Sequence, residues 1–382
     1  MILVIVFCCI YVQIKNDLKE ETHIMTIKLY KYKDLYMKIQ VPEYYINFKC
    51  IADKCKDNCC IGWEIDVDDA TLEKYESLEG ASGDAIRATL NGGEVTTFKL
   101  SKNERCANLD CHGLCKIISA LGEDYLCQIC RDHPRYFNET TDGIEGGIGL
   151  ACEAAAQLIL TAENPHKTVS VEYPEITPRY LCEEDLALRV REIVLTYIVE
   201  SDMCKEKTLV AVNRLLRVSD LLDATVLGNA FSKKKQEITL EDVLRLEWAR
   251  KCSSDVMAEL CAAFRDLEAL TEDFPQKLDS AEKMILAPDF YDFLDTDGRK
   301  FFVNLLCYFL RRYFLSEEAA YLQNMGFAIG SALLICASVY VSGEYGIESF
   351  ISESKNFSKN VEYSEENVDL AIENMGKLLR FF

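Results

Sequence analysis

The sequence predicts a mainly α-helical protein in which a cysteine-rich, irregular N-terminal half is followed by a helical bundle. Three observations carry this prediction. Ten of the eighteen cysteines fall between Cys50 and Cys152. From about Leu181 onward apolar residues recur at the three-and-four spacing of one-sided helices. At 382 residues and 49% hydrophobic composition, the chain can bury a sizeable core divided over two or three units. The expected divisions are a leader over 1–24, a cysteine-rich unit over 25–165 and a helical unit over 166–382.

Met1 to Val12 is almost wholly apolar, but no Lys or Arg precedes it and the run falls short of the roughly 20 residues that span a membrane. Met25 opens an ordinary polar start, so the chain either begins there or carries a weak export signal or a buried helix ahead of it. The formal net charge of −21 opposes binding to phosphate backbones and anionic membranes, and nucleic acid is excluded as a partner on that ground. A secreted disulfide scaffold is short and disulfide-dense. This chain has core enough to do without disulfides, so its thiols are read as reduced and its location as cytoplasmic.

In the cysteine-rich half, Ser77 to Gly93 has helical spacing at Ala85, Ile86 and Leu90, followed by a turn at Asn91-Gly92-Gly93 and a strand over Val95 to Leu100. Gly143 to Gly149 resembles a phosphate loop only superficially and reads as a strand with turn glycines. Asn164 to Pro178, with three prolines and a Thr-Val-Ser-Val run, reads as a linker or an extended connection. Beyond it, Leu186, Val190, Ile193, Val194, Tyr197 and Ile198 define one helix face, and Leu209, Val212, Leu215, Leu216, Leu221 and Leu222 define another. Thr239 with Asp242 has the pattern of an N-terminal cap, and Pro288 opens a further helix. Met325 to Val341 carries no charge, which suits the central helix of a bundle better than a membrane span. Isolated Cys252, Cys261, Cys307 and Cys336 sit among apolar residues as small buried hydrophobes.

The clustered cysteines read Cys50-x4-Cys55-x3-Cys59-Cys60, Cys106-x4-Cys111-x3-Cys115, Cys127-x2-Cys130 and Cys152. Closely spaced thiols on loops, completed by distant ones, are how metal and iron–sulfur sites collect ligands. Gly62, Asn108, Gly113, Gly122 and Pro134 supply the turns. Adjacent Cys59 and Cys60 diverge and suit one tetrahedral zinc poorly, but they can reach different atoms of a cluster or different centres, which favours iron–sulfur. His112 and His133 are nearby candidate zinc ligands, although a histidine at a turn more often caps the loop. The radical S-adenosylmethionine motif Cys-x3-Cys-x2-Cys is not completed, because the third position holds Gly62 in one run and Ile118 in the other.

On Tyr44 to Asp66, Arg105 to Arg135 and Leu150 to Leu160, the chain resembles the flagellin lysine-N-methylase family (FliB-type). At its cysteines it also resembles a family of small zinc- or iron-chelating domains. The resemblance implies metal ligands among Cys50, Cys55, Cys59, Cys60, Cys106, Cys115, Cys130 and Cys152, whereas Cys111 and Cys127 fall where the pattern asks for no cysteine. Glu153-Ala154-Ala155 replaces an expected proline after Cys152. The implied activity is methyl transfer to surface lysines of flagellin, with S-adenosylmethionine as donor and an iron–sulfur cluster of the 4Fe–4S type, zinc being the alternative metal. The alternative function is a zinc- or iron-binding protein without methyltransferase activity; a third is electron transfer or redox sensing.

Methyl transfer needs a neutral amine and an in-line path, hence a desolvating pocket and a group to direct the proton. Trp63 can hold a cation against its ring and Asp66 can orient the lysine. The blander use has Trp63 packed under the centre and Asp66, Asp68 and Asp69 capping a helix before Thr71. Arg131 and Arg135 either meet the donor carboxylate or neutralise a thiolate-rich centre. Tyr308, Arg311, Arg312 and Tyr313 either face the centre from the second unit or form an interhelical contact.

Overall fold

The computed structural model describes residues 37–56, 59–62, 64–93, 95–173, 186–200, 207–230, 238, 254–316 and 319–379. The leader, Trp63 and the expected cap at Thr239 and Asp242 lie outside the described residues. The architecture is mainly helical, as the periodicity predicts. The N-terminal half is more regular than its composition suggests.

That half contains a four-stranded mixed sheet in the order β4-β5-β1-β6, built from β1 (Met37–Pro42), β4 (Arg135–Thr140), β5 (Gly143–Ile148) and β6 (Thr168–Tyr173). β1 runs parallel to β5 and antiparallel to β6, with Ile39 opposite Val171. β4 and β5 form a hairpin in which Tyr136 opposes Gly147. The glycine-rich run is therefore a strand, as expected. The Thr-Val-Ser-Val segment is also a strand, past residue 165, and its alternating exposure is what an edge strand shows. Ile39, Val41 and Ile144 form this sheet's small core.

Between β1 and β4 lies a second small unit. α1 (Asp69–Ser77) starts at Asp68, whose carboxylate accepts from the Thr71 amide at 2.9 Å. α2 (Ala81–Arg87) is shorter than the helix expected ahead of the turn at Asn91, because Leu90 leaves it to pair in a short antiparallel ribbon, β2 (Leu90–Asn91) with β3 (Thr97–Phe98). Two further short helices follow, α3 (Lys116–Leu121) and α4 (Gln128–Asp132). α5 (Glu153–Thr161) then packs its Ala155, Ala156, Ile159 and Leu160 into the main core.

The C-terminal bundle comprises α6 (Leu186–Glu200), α7 (Thr208–Ala230), α8 (Ser254–Ala262), α9 (Phe274–Ile285), α10 (Pro288–Leu294), α11 (Arg299–Tyr313), α12 (Tyr321–Ser342), α13 (Ile347–Val361) and α14 (Glu365–Leu379). The faces expected on α6 and α7 are the buried ones, and Pro288 occupies the first turn of α10. α12 is the central helix, packed against α7, α8, α9, α11, α13 and α14. It is long and apolar enough to cross a membrane, yet 78% of its apolar window is buried inside the protein. Gly330 permits this closeness, since a Cβ there would meet a Phe264 ring carbon at 3.0 Å.

Polar latches join the bundle to the sheet. Arg191 of α6, 1% exposed, donates to both carboxylate oxygens of Glu145 on β5 at 2.8 and 2.6 Å. Asn304 of α11 donates to the carbonyls of Ile159, Leu160 and Ala162, closing the C-terminal end of α5. Replacing one member of a buried ion pair strands the other's charge, which typically costs about 3–5 kcal/mol. Arg191→Met is therefore expected to lower unfolding stability by that order, measured by urea denaturation. Arg217→Met, whose partner Asp220 is on the surface, is expected to change it by less than about 1 kcal/mol.

Candidate metal centre and adjoining cleft

The small unit between β1 and β4 buries Ile65, Val67, Tyr75, Ile86, Phe98, Leu109 and Ile117, with Ile61, Leu72, Leu78, Leu90, Leu121, Tyr125 and Leu126 packed against them. Five thiols share this interior. Backbone pairing brings them together. The Cys106 amide donates to the Cys60 carbonyl at 2.8 Å, and the Gly62 amide to the Glu104 carbonyl at 3.0 Å. Gly62 sits at φ 93°, a conformation open to glycine, which turns the chain immediately after Cys60. Leu109 bridges to Cys115, and the Asp110 carboxylate accepts from the amides of His112 and Leu114 at 2.8 and 2.9 Å, closing the loop before Cys115. Asp68, besides capping α1, accepts from the Gln128 amide at 2.8 Å and so fixes α4, which carries Cys130. Tyr75 donates to the Tyr125 carbonyl at 2.6 Å two residues before Cys127.

As a result Cys60, Cys106, Cys115, Cys127 and Cys130 line one small, enclosed space together with Ile65, Phe98, Leu109, Ile117 and Leu126. The ten cysteines from Cys50 to Cys152 are thiols, not disulfides. Contact with Cys59 pushes the Cys60 thiol up, with burial and the charges of Cys106 and Cys115 adding to it. Cys127 donates its influence to Cys130: the hydrogen bond between them lowers Cys127 and raises Cys130. Burial raises Cys106. Thiols that hinder one another's ionisation are the environment in which a cation is most effective, because it supplies the charge that the apolar shell withholds.

A second group lies at the start of α5. Cys152 is its N-cap residue, and burial pushes its thiol up to about 11 even though the amides of Ala154 and Ala155 favour the thiolate; the charges of Cys55 and Cys59 also reach it. Glu153 accepts from the Lys56 amide at 2.9 Å and stands 3.6 Å from the Cys55 sulfur. Cys59, whose sulfur lies 3.9 Å from that of Cys60, stands near both groups. Cys50 and Cys111 are exposed, as is His112. Cys127, outside the ligand set implied by the resemblance, lines the enclosed space, while Cys111 does not.

The donor set fits a thiolate-bound metal or cluster in kind: soft sulfur ligands from separated stretches in an apolar shell. As placed, no group of three or more His, Cys, Asp or Glu side chains among the described residues is arranged to hold an ion.

A cleft of about 830 Å³ adjoins the thiol space. Residues 127–130 alternate between the two: Cys127 and Cys130 line the thiol space, and Gln128 and Ile129 line the cleft. Asp66 lies on the cleft wall, exposed, and does not take part in the helix cap, which Asp68 makes. His133 also lines the cleft. Burial lowers its pKa to about 4, so it is a neutral imidazole near pH 7, and its Nε2 is buried without a partner.

The opposite wall comes from α11 and the residue after α13. Glu362, with 1% of its side chain exposed, accepts at Oε1 from Tyr308 at 2.7 Å and from Tyr313 at 2.9 Å, and the same oxygen forms an ion pair with Arg312 at 3.0 Å. The Arg312 guanidinium lies 4.6 Å from the Tyr136 ring centre and donates to the Tyr308 hydroxyl at 2.6 Å. Arg311 points elsewhere, to the His166 carbonyl and Glu192. Arg135 donates to the Tyr45 hydroxyl at 3.1 Å and lies over the Tyr45 and Phe48 rings. Sequence reasoning missed Glu362 and Tyr136. Their signal was faint: a tyrosine opposite a glycine run, and an acid ending an amphipathic helix.

Three relatives give this geometry a context. The flagellar biosynthetic protein FliU of Salmonella muenchen is 28% identical over 130 residues, 31% of this chain and 75% of that protein. Lysine-N-methylases of Salmonella choleraesuis and Salmonella typhimurium are each 27% identical over 130 residues, 31% of this chain. The match spans 31% of the length of each lysine-N-methylase. No family model matches the chain, and no solved structure does. The resemblance to the lysine-N-methylases holds over that partial stretch.

Serine replacements test the grouping of thiols. Cys60→Ser, Cys115→Ser or Cys130→Ser is expected to remove most of the bound metal and to lower stability by on the order of a few kcal/mol, because metal binding is coupled to folding. Cys111→Ser is expected to change neither. Metal analysis and thermal unfolding of the purified variants check this, and equal behaviour of Cys60→Ser and Cys111→Ser would contradict it.

Proposed function

We propose that this chain is a protein-lysine N-methyltransferase of the flagellin lysine-N-methylase type. In this reading it transfers a methyl group from S-adenosylmethionine to the ε-amine of flagellin lysines and depends on an iron–sulfur centre. One observation carries the reading: five thiols from separated stretches line a small apolar space, and the same short segment, residues 127–130, also walls a cleft large enough for a donor and a side chain. The names of the partial relatives point the same way.

Cys60, Cys106, Cys115 and Cys130 would hold the centre, with Cys127 as a fifth thiol at the same space. A cluster bound there would supply a one-electron couple. The chain's own residues do the rest. The carboxylates on the cleft wall attract the cationic side chain of a lysine into the cleft, where it must lose a proton before transfer. Asp66 on the wall can orient that amine and accept its proton through water, and neutral His133 offers an acceptor nitrogen rather than a competing positive charge.

The test is made on full-length protein purified without air. Iron with acid-labile sulfide, and methyl-lysine on flagellin after addition of S-adenosylmethionine, are the expected results. Zinc without sulfide, together with no methyl transfer, would instead select the metal-binding protein without methyltransferase activity.

A further inference from the structure

The cleft wall formed by α11 and Glu362 presents two opposite charges side by side, each with capacity left over. Arg312 donates to Tyr308 and pairs with Glu362 through Nη1, so neither contact uses Nη2 or Nε, and 20% of its side chain is exposed at the cleft. Glu362 accepts from both tyrosines at Oε1, the oxygen that also faces Arg312, while Oε2 is shielded from water and has no partner. Buried carboxylate oxygens are normally satisfied, so an orphan on a cleft wall marks a place where a donor belongs. Gly149 makes room for the arginine, since a Cβ there would come within 3.3 Å of Arg312 Nη1.

A lone ammonium at this wall would meet the Arg312 charge, and a phosphate would meet Glu362. A ligand with an ammonium and a carboxylate on one carbon uses both, the carboxylate accepting from Arg312 and the ammonium donating to Glu362. The rest of the cleft is net negative, with Asp66, Asp132 and Glu365 on its walls, which suits a ligand carrying one further positive charge. We infer that the Arg312–Glu362 pair holds the α-amino-acid end of a sulfonium methyl donor. This inference rests on the donor reading proposed above and deepens it by assigning the donor to this wall. Arg312 is chosen over Arg135 because Arg312 stands beside the carboxylate of Glu362, so that the two charges can be read together.

Calorimetric titration of the full-length, anaerobically purified protein tests it with two ligands. S-adenosylhomocysteine carries the amino-acid end, and 5′-methylthioadenosine lacks it. Native protein is expected to bind the first about tenfold or more tightly than the second, as befits charge-assisted hydrogen bonds. Arg312→Gln and Glu362→Gln are each expected to erase most of that preference while leaving methylthioadenosine binding unchanged, which also shows that the variants are folded. The preference of the native protein is read independently of either variant. Equal affinity of native protein for the two ligands, or a preference that survives in both variants, would overturn the assignment. Binding of neither ligand would overturn the donor reading itself along with it.

Discussion

The constraint on which the rest depends is the burial of five thiols inside a small apolar core. Between β1 and β4 the chain folds some ninety residues around Cys60, Cys106, Cys115, Cys127 and Cys130 and a shell of larger apolar side chains. The thiols oppose one another's ionisation, so the arrangement is stable as neutral sulfur or as sulfur bound to a cation. Every local device in the unit serves their convergence: the turn at Gly62, the Asp110 loop and the double use of Asp68.

The consequence reaches the cleft. Because α4 is short, the residues that position Cys127 and Cys130 also present Gln128 and Ile129 to the neighbouring space. The far wall is held just as firmly. Arg312 rests on Tyr136, Tyr136 lies across Gly147, and the bundle is latched to the sheet through Arg191 and Glu145. A group of thiols on one side and a charged wall on the other are thereby fixed by separate halves of the chain, with the cleft beside both.

The helices were legible because their signal is local. The faces of α6 and α7 repeat within a few residues, Pro288 marks a start, and the uncharged run of α12 announces burial. The sheet was not, because β1 meets its partners β5 and β6 only after about a hundred residues and part of the pairing is parallel. At the centre, spacing identified the cysteine-bearing loops, but it could not separate Cys127, which turns inward, from Cys111, which stays outside in a turn. The wall of the cleft was half visible. Tyr308, Arg312 and Tyr313 stood at helical spacing, whereas Glu362 lies about fifty residues further on, in another helix end, where no pattern in the sequence couples it to them.

The central claim is that shared inorganic ligation holds the thiol-rich unit together. Hydrogen exchange, followed peptide by peptide before and after chelation of the metal, addresses it most directly, because it reads local stability. If a metal is bound there, amides between residues 60 and 130 lose their protection once it is removed, while α11, α12 and α13 keep theirs. Unchanged protection over 60–130 in metal-free protein would contradict it.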